Sequence, residues 1–139
     1  MKALWLVFLL ACHMPKSMPT LPESIRAYND GVRWERFEVA ANHVPGPQRS
    51  QFVDEADQRA KDVKITDYEV VRVDKQSEQE AKVHVKLSWY RNSEGTLHET
   101  QAMQTWQRHG RLWVIVDEAR LRGAEMPGLP EPLTEAGKE

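Results

Sequence analysis

"AKVHVKLSWYRNSEGTLHETQAMQTWQRHGRLWVIVD", residues 81–117, is the stretch that decides the fold. From residue 81 to residue 90 apolar and polar side chains alternate, which is typical of a strand with one buried face. "NSEG" at 92–95 and "HG" at 109–110 are turn sequences. The stretch therefore predicts three antiparallel strands, over residues 81–91, 96–108 and 112–117.

The turns also predict which residues face each other. A loop at 92–95 places Trp89 opposite His98, and a two-residue turn at 109–110 places Trp106 opposite Trp113 and Asp117 opposite Ala102. One face then mixes aromatic and polar side chains, which form a candidate pocket: Trp89, His98, Thr100, Gln104, Trp106, Trp113 and Asp117. In a dry core the polar members would lack hydrogen-bond partners, and each such group would cost about 1–3 kcal/mol of stability. The mixture therefore favours a concavity that contains water. Simple packing, with the polar groups solvated at strand ends, is the open alternative.

The opposite sheet face is amphiphilic. It carries His84, Lys86, Ser88, Tyr90, Leu97, Glu99, Gln101, Met103, Val114 and Val116. Such a face is suited to a second copy of the chain or to another protein, and we expect a partner there.

Upstream of this stretch, residues 63–74 are rich in β-branched residues and predict a further strand. Before it, the apolar spacing of Trp34, Phe37, Ala40 and Val44 predicts a helix within residues 23–44, with a break or kink at 29–31. "PGP" at 45–47 ends that helix, and a second is expected over 47–62. Helices followed by an antiparallel meander indicate an α+β fold, with the helices packed on a curved sheet of four strands.

This order of elements, closed by "WQRHGRLWVIVDE" at 106–118, resembles the nuclear-transport-factor-2-like superfamily, the cystatin-like roll. The resemblance covers residues 25–118. It implies a cone whose curled sheet and helices enclose a pocket, and a sheet face that often forms dimers. Some members are enzymes, whereas many only bind or support other proteins.

The chain opens with "MKALWLVFLLAC", residues 1–12. Its apolar part is shorter than the roughly 20 residues that span a bilayer, and it fits a secretory signal. Leu9-Leu10-Ala11-Cys12 resembles the lipobox of bacterial lipoproteins, which implies cleavage before Cys12 and a lipid anchor on its thiol. In that family Asp after the cysteine is associated with the inner membrane, so His13 favours the outer one.

The predicted organisation is a signal peptide at 1–11, a lipidated cysteine and tether at 12–22, a folded domain at 23–122 and a disordered acidic tail at 123–139. The tail prediction rests on its proline and glycine content and its few apolar residues.

Charge and motif content exclude several classes of function. The net charge is −2 with both signs interspersed, which argues against a nucleic-acid partner. The five histidines have no metal-ligand spacing, and no catalytic or phosphate-binding motif is present, so we predict no metal, cofactor or catalytic residue. The prediction is a non-enzymatic binding or scaffolding module anchored in the cell envelope. The alternative is an isomerase or dehydratase that uses the cone pocket, with Asp117 or His98 as its base.

Overall fold

Residues 17–132 form three α-helices followed by a four-stranded antiparallel sheet in a computed structural model. The helices are α1 (Leu21–Arg33), α2 (Phe37–Ala41) and α3 (Arg49–Ala60), the last preceded by a 3₁₀ turn at Gly46–Gln48. The strands are β1 (Val63–Lys75), β2 (Glu80–Arg91), β3 (Leu97–His109) and β4 (Leu112–Gly123), paired in chain order. The predicted α+β architecture is confirmed. Cys12 and the predicted leader lie outside the described residues.

Helix α1 begins at Leu21, inside the predicted tether, and has no break or kink where one was predicted. Thr20 caps its amino terminus together with Glu23 in a capping box. The helix runs through residues 29–31 and ends at Arg33, where Glu35 takes a left-handed backbone conformation with φ 58°. Trp34 caps the carboxyl end of α1 instead of belonging to the helix of Phe37, and it is 61% exposed rather than buried on the predicted helix face. The guanidinium of Arg33 lies 4.1 Å from its ring centroid.

Helices α1 and α2 pack closely at Gly31. A β-carbon at this position would lie 3.0 Å from that of Ala40, so the approach of α1 to α2 requires glycine or an adjustment of the contact. Phe37, Ala40 and Val44 are buried, as their spacing predicts. After the 3₁₀ turn, α3 buries Ala56 fully and Phe52 in part.

The sheet is irregular on its two edge strands. β1 is interrupted at residues 66 and 71, and β4 at residues 116 and 121, where one residue has no partner on the neighbouring strand. Such bulges bend and twist a strand. The predicted pairing of β2 with β3 is confirmed, including Trp89 opposite His98 and Ala81 opposite Trp106.

The core lies between the inner sheet face and the helices. Its β2 members alternate as predicted and are almost completely buried: Ala81, Val83, Val85, Leu87 and Trp89. Trp106 and Trp113 both belong to this core, on one face of the sheet. Within residues 17–132, no helix has the length and hydrophobicity needed to cross a membrane.

Candidate functional site

A cavity of about 880 Å³ lies between α3, β4 and the segment that follows β4. This volume is in the range of small-molecule sites, about 300–1,000 Å³. Its walls are formed largely by apolar side chains: Tyr28, Val44, Phe52, Ala56, Val63, Ile115, Pro127 and Pro130. We call it the α3–β4 cavity.

The carboxyl group on the inner face of β4 belongs to Glu118. Ile115 opposes Trp106, and the next residue, Val116, is the unpaired residue of a bulge. Because side chains alternate along a strand, one inserted residue moves every later side chain to the other face. Glu118 therefore opposes Gln104 on the inner face.

The predicted pairing of Trp106 with Trp113 is wrong, since Trp113 opposes Arg108. The predicted pairing of Asp117 with Ala102 is wrong for two reasons. The turn between β3 and β4 is one residue later than predicted, with His109 opposite Leu112, and the bulge then adds a further residue. Asp117 opposes Thr105 on the outer face of the sheet. Its side chain is exposed and lies at the border of the cavity.

A buried hydrogen-bond network lies beneath Glu118. Gln104, with no exposed surface, donates from Nε2 to Glu118 Oε2 at 2.6 Å and to Asn29 Oδ1 at 2.9 Å. Its Oε1 accepts from Trp106 Nε1 at 3.1 Å. Asn29 in turn donates to the carbonyl of Ile25 in α1 at 2.8 Å. The network satisfies Gln104 from within the protein, so its polarity needs no water, contrary to the prediction.

The surroundings of Glu118 make its carboxyl group easier to protonate than that of an exposed glutamate. Burial raises the pKa of Glu118 above its usual value, and the hydrogen bond from Gln104 and the charge of Arg59 offset only part of that rise. The pKa of Tyr28 is raised well above its ordinary value, first by burial and then by Glu118. The cavity thus presents a carboxyl group that accepts a proton readily and a phenol that keeps its own.

The segment after β4 is ordered up to Pro132 and forms one wall of the cavity. Met126 and Leu129 are buried in the core at 4% and 8% exposure. Arg120 holds the segment through its backbone N–H, which donates to the carbonyl of Pro130 at 2.8 Å, and through two side-chain bonds to Glu131. The prediction of a disordered tail from residue 123 is therefore wrong for residues 123–132, because these apolar side chains find a place in the core. Residues 133–139 lie outside the described residues.

The residues predicted to line a pocket lie mostly below the cavity. Trp89 donates from Nε1 to Thr100 Oγ1 at 2.9 Å, and Thr100 donates to the carbonyl of Ala124 at 2.6 Å. His98 stacks on Trp89 with ring centroids 4.5 Å apart and bonds Glu94. Of the predicted set, Asp117 alone borders the α3–β4 cavity.

Trp113 lies elsewhere. It borders a second cavity, of about 650 Å³, beside the residues that lead into α1. Four residues of the predicted set form a packed layer that supports the site: Trp89, Thr100, Gln104 and Trp106. Trp106 contacts Tyr28 edge-on at 5.8 Å.

Sequence reasoning missed Tyr28, Phe52, Arg59 and Glu118. The available signal was the adjacent pair Asp117-Glu118, since any bulge in the last strand exchanges their faces. The three other residues lie on helices, and their position over the sheet depends on the turn at Glu35 and on the loop before α3.

On the outer sheet face, residues of the described strands form polar pairs. Lys82 bonds Thr105 at 2.8 Å, and Lys86 forms an ion pair with Glu69 at 3.2 Å. That pair raises the pKa of Lys86, and the charge of Glu99 adds a smaller contribution. Leu97 is exposed on the same face.

No group of three or more His, Cys, Asp or Glu side chains within residues 17–132 is arranged to hold a metal ion.

Comparison with known proteins gives the fold. No protein-family model matches the chain, and no curated protein matches it. A SEC-C motif-containing protein from Rhodopseudomonas palustris has a TM-score of 0.62 at 12% identity, over 73% of this chain and 79% of its own. A ketosteroid isomerase-like protein from Erwinia carotovora atroseptica has a TM-score of 0.60 at 12% identity, over 78% of this chain and 99% of its own.

The fold is nuclear-transport-factor-2-like. A conserved protein from Planctomyces limnophilus is also similar, with a TM-score of 0.51 at 17% identity, over 69% of this chain and 88% of its own. This fold occurs in enzymes and in non-enzymes, so the function of the chain has to be argued from its site.

Proposed function

We propose that this protein is a lipid-anchored protein of the bacterial cell envelope, whose folded domain binds a small, largely apolar molecule in the α3–β4 cavity. The anchor is supported by Leu9-Leu10-Ala11-Cys12, and His13 favours the outer membrane. The binding function is carried by one observation: a cavity of about 880 Å³ with largely apolar walls and the half-buried carboxyl group of Glu118 in its lining.

The chemistry of such a site follows from its parts. Apolar walls gain free energy when a ligand replaces water against them. Glu118 is fixed by Gln104 at 2.6 Å, and so offers a polar contact in a defined place that orients the ligand. The wall formed by residues 127–130 is held by the bond between Arg120 and Pro130.

The test uses N-phenyl-1-naphthylamine, a neutral probe whose fluorescence rises in apolar surroundings, and the full chain carrying Cys12→Ser so that no lipid interferes. We expect saturable fluorescence, weakened about tenfold or more by Gln58→Trp, because Gln58 is an exposed residue of the cavity mouth. Asp57→Trp places the same side chain on the same exposed helix outside the cavity lining and should leave binding unchanged. No saturable fluorescence, or equal loss in both variants, would refute the proposal.

A second candidate function is proton transfer of the isomerase or dehydratase type, and the raised pKa of Glu118 favours it. Glu118 replaces Asp117, which is exposed, and His98, which stacks on Trp89, as the candidate base. In such an isomerisation its carboxylate would take a proton from the carbon beside a carbonyl group and return it to the γ-carbon, so that the double bond moves into conjugation.

The reaction can be assayed with a β,γ-unsaturated ketosteroid, since the conjugated product absorbs in the ultraviolet. Turnover that Glu118→Gln abolishes and Asp117→Asn preserves would establish the enzyme. Absence of turnover together with tight probe binding would leave the binding function alone.

A further inference from the structure

The charges around the α3–β4 cavity are strongly unequal. Its lining contains five acidic side chains, namely Asp54, Glu55, Asp62, Asp117 and Glu118, and one basic side chain, Arg59. The whole chain is nearly balanced, with 21 acidic and 19 basic residues. The imbalance is therefore a local property of this site and gives it a negative potential.

Most of these carboxyl groups keep their charge uncompensated. Asp62 forms an ion pair with Arg91, whose Nη1 lies 3.4 Å from Asp62 Oδ2. Among residues 17–132, the other four acidic groups have no Lys, Arg or His nitrogen within salt-bridge distance. Glu55 accepts only a neutral bond from Gln51, at 2.8 Å.

Arg59 does not neutralise the site. Its side chain packs against Gly128, where an added β-carbon would lie 3.0 Å from its Cδ. Its charge acts on Glu118 at a distance, and burial still raises the pKa of that carboxyl. A cation placed near Glu118 would find a partner that the protein itself leaves unpaired.

An inorganic cation fits poorly, because the carboxyl groups do not converge: no metal-holding group exists among the described residues. The walls are largely apolar and include the aromatic rings of Tyr28 and Phe52, which are tilted by 41° with their centroids 5.8 Å apart. A ligand that fits this site therefore carries one positive charge on an otherwise apolar molecule.

Building on the proposed binding function, we propose that the α3–β4 cavity selects cationic amphiphiles, with an amine bonded to Glu118 and the apolar part against α3 and the wall at 127–130. Asp54, Glu55 and Asp117 at the rim attract the cation and disfavour anions of the same shape. A charge-assisted hydrogen bond in this setting corresponds to a preference of about tenfold to a hundredfold over a neutral ligand.

The experiment compares n-octylamine, 1-octanol and n-octyl sulfate, which share one alkyl chain and differ in charge. Each displaces N-phenyl-1-naphthylamine from the full chain carrying Cys12→Ser, at pH 7 and fixed salt. We expect octylamine to bind at least about tenfold more tightly than octanol, and octyl sulfate to bind most weakly.

Variants assign the preference to the cavity. Glu118→Gln keeps an acceptor for Gln104 and should remove the preference, so that octylamine binds no more tightly than octanol. Asp54→Asn should reduce amine affinity about twofold, whereas Asp57→Asn, on the same helix outside the lining, should not change it. If Glu118→Gln does not fold, the comparison of Asp54→Asn with Asp57→Asn decides.

The outcomes separate the two proposals. If neither the probe nor any alkyl compound binds, the binding function itself is wrong. If octanol or octyl sulfate binds as tightly as octylamine, or if Asp57→Asn weakens the amine as much as Asp54→Asn does, the cavity binds ligands but does not select cations.

Discussion

Replacing Gln104 by leucine should destabilise the protein severely, because this one amide organises the layer beneath the cavity. Its side chain has no exposed surface, and it bonds Asn29, Trp106 and Glu118 at 2.9, 3.1 and 2.6 Å. Leucine has a similar volume, so the cavity contribution to the loss is small. What changes is the hydrogen bonding.

The magnitude follows from the groups left without partners. The indole N–H of Trp106 and the carbonyl oxygen of Asn29 both stay buried, and an unsatisfied buried group costs about 1–3 kcal/mol. We therefore expect Gln104→Leu to lower the free energy of unfolding by about 2–6 kcal/mol, a large part of the 5–15 kcal/mol typical of a domain.

The assay is urea unfolding followed by tryptophan fluorescence and far-ultraviolet circular dichroism. Gln101→Leu is the matched control: it is on the same strand, is half-buried on the outer face, and bonds only His84 at 2.7 Å. It should cost less than about 1 kcal/mol. A loss below about 1 kcal/mol for Gln104→Leu, or equal losses for both variants, would refute the reasoning.

Four further predictions test other parts of the account. Burial raises the pKa of Glu118 in the folded state, so the protein loses stability as the pH rises from the pKa of Glu118 in the unfolded chain to its pKa in the folded protein. Glu118→Gln should therefore be more stable than wild type in urea at pH 8 and about equally stable at pH 4. The opposite order would contradict the buried carboxyl group. Asp117→Asn should change the free energy of unfolding in urea by less than about 0.5 kcal/mol, and a larger loss would mean that the exposed residue has a structural role. Leu129→Ala should cost about 2–5 kcal/mol in the same assay, whereas a disordered tail predicts no change. Cys12→Ser should move the protein from the membrane pellet to the supernatant after ultracentrifugation, and its continued sedimentation with membranes would rule out the lipid anchor.

The central hairpin could be predicted because its signals are local. Alternation from Ala81 to Trp89 and a turn sequence at 92–95 specify both the strands and their register. The next hairpin was predicted with a shift of two residues, since Gly110, with φ 64°, begins the turn rather than ending it. A shift by two keeps every side chain on its face, so Trp106 and Trp113 stay together in the core.

The site could not be predicted because it depends on irregularities without a local signature. Nothing in "VIVDEA" marks Val116 as the bulged residue, yet that insertion decides that Glu118, and not Asp117, faces inward. Glu35 is a helix-favouring residue that adopts a left-handed backbone conformation between α1 and α2, so Trp34 and Phe37 do not share one helix as predicted. Residues 123–132 have the composition of a disordered tail, and only the core surface they cover explains why they pack.

The most direct test of the central claim is an NMR titration of the side-chain carboxyl carbons of Glu118 and Asp117, with and without saturating N-phenyl-1-naphthylamine. The account predicts that the pKa of Glu118 lies above the usual glutamate value, that Glu118→Gln removes this resonance alone, and that the probe displaces the Glu118 resonance. A Glu118 carboxyl that titrates like an exposed glutamate and does not respond to the probe would contradict it.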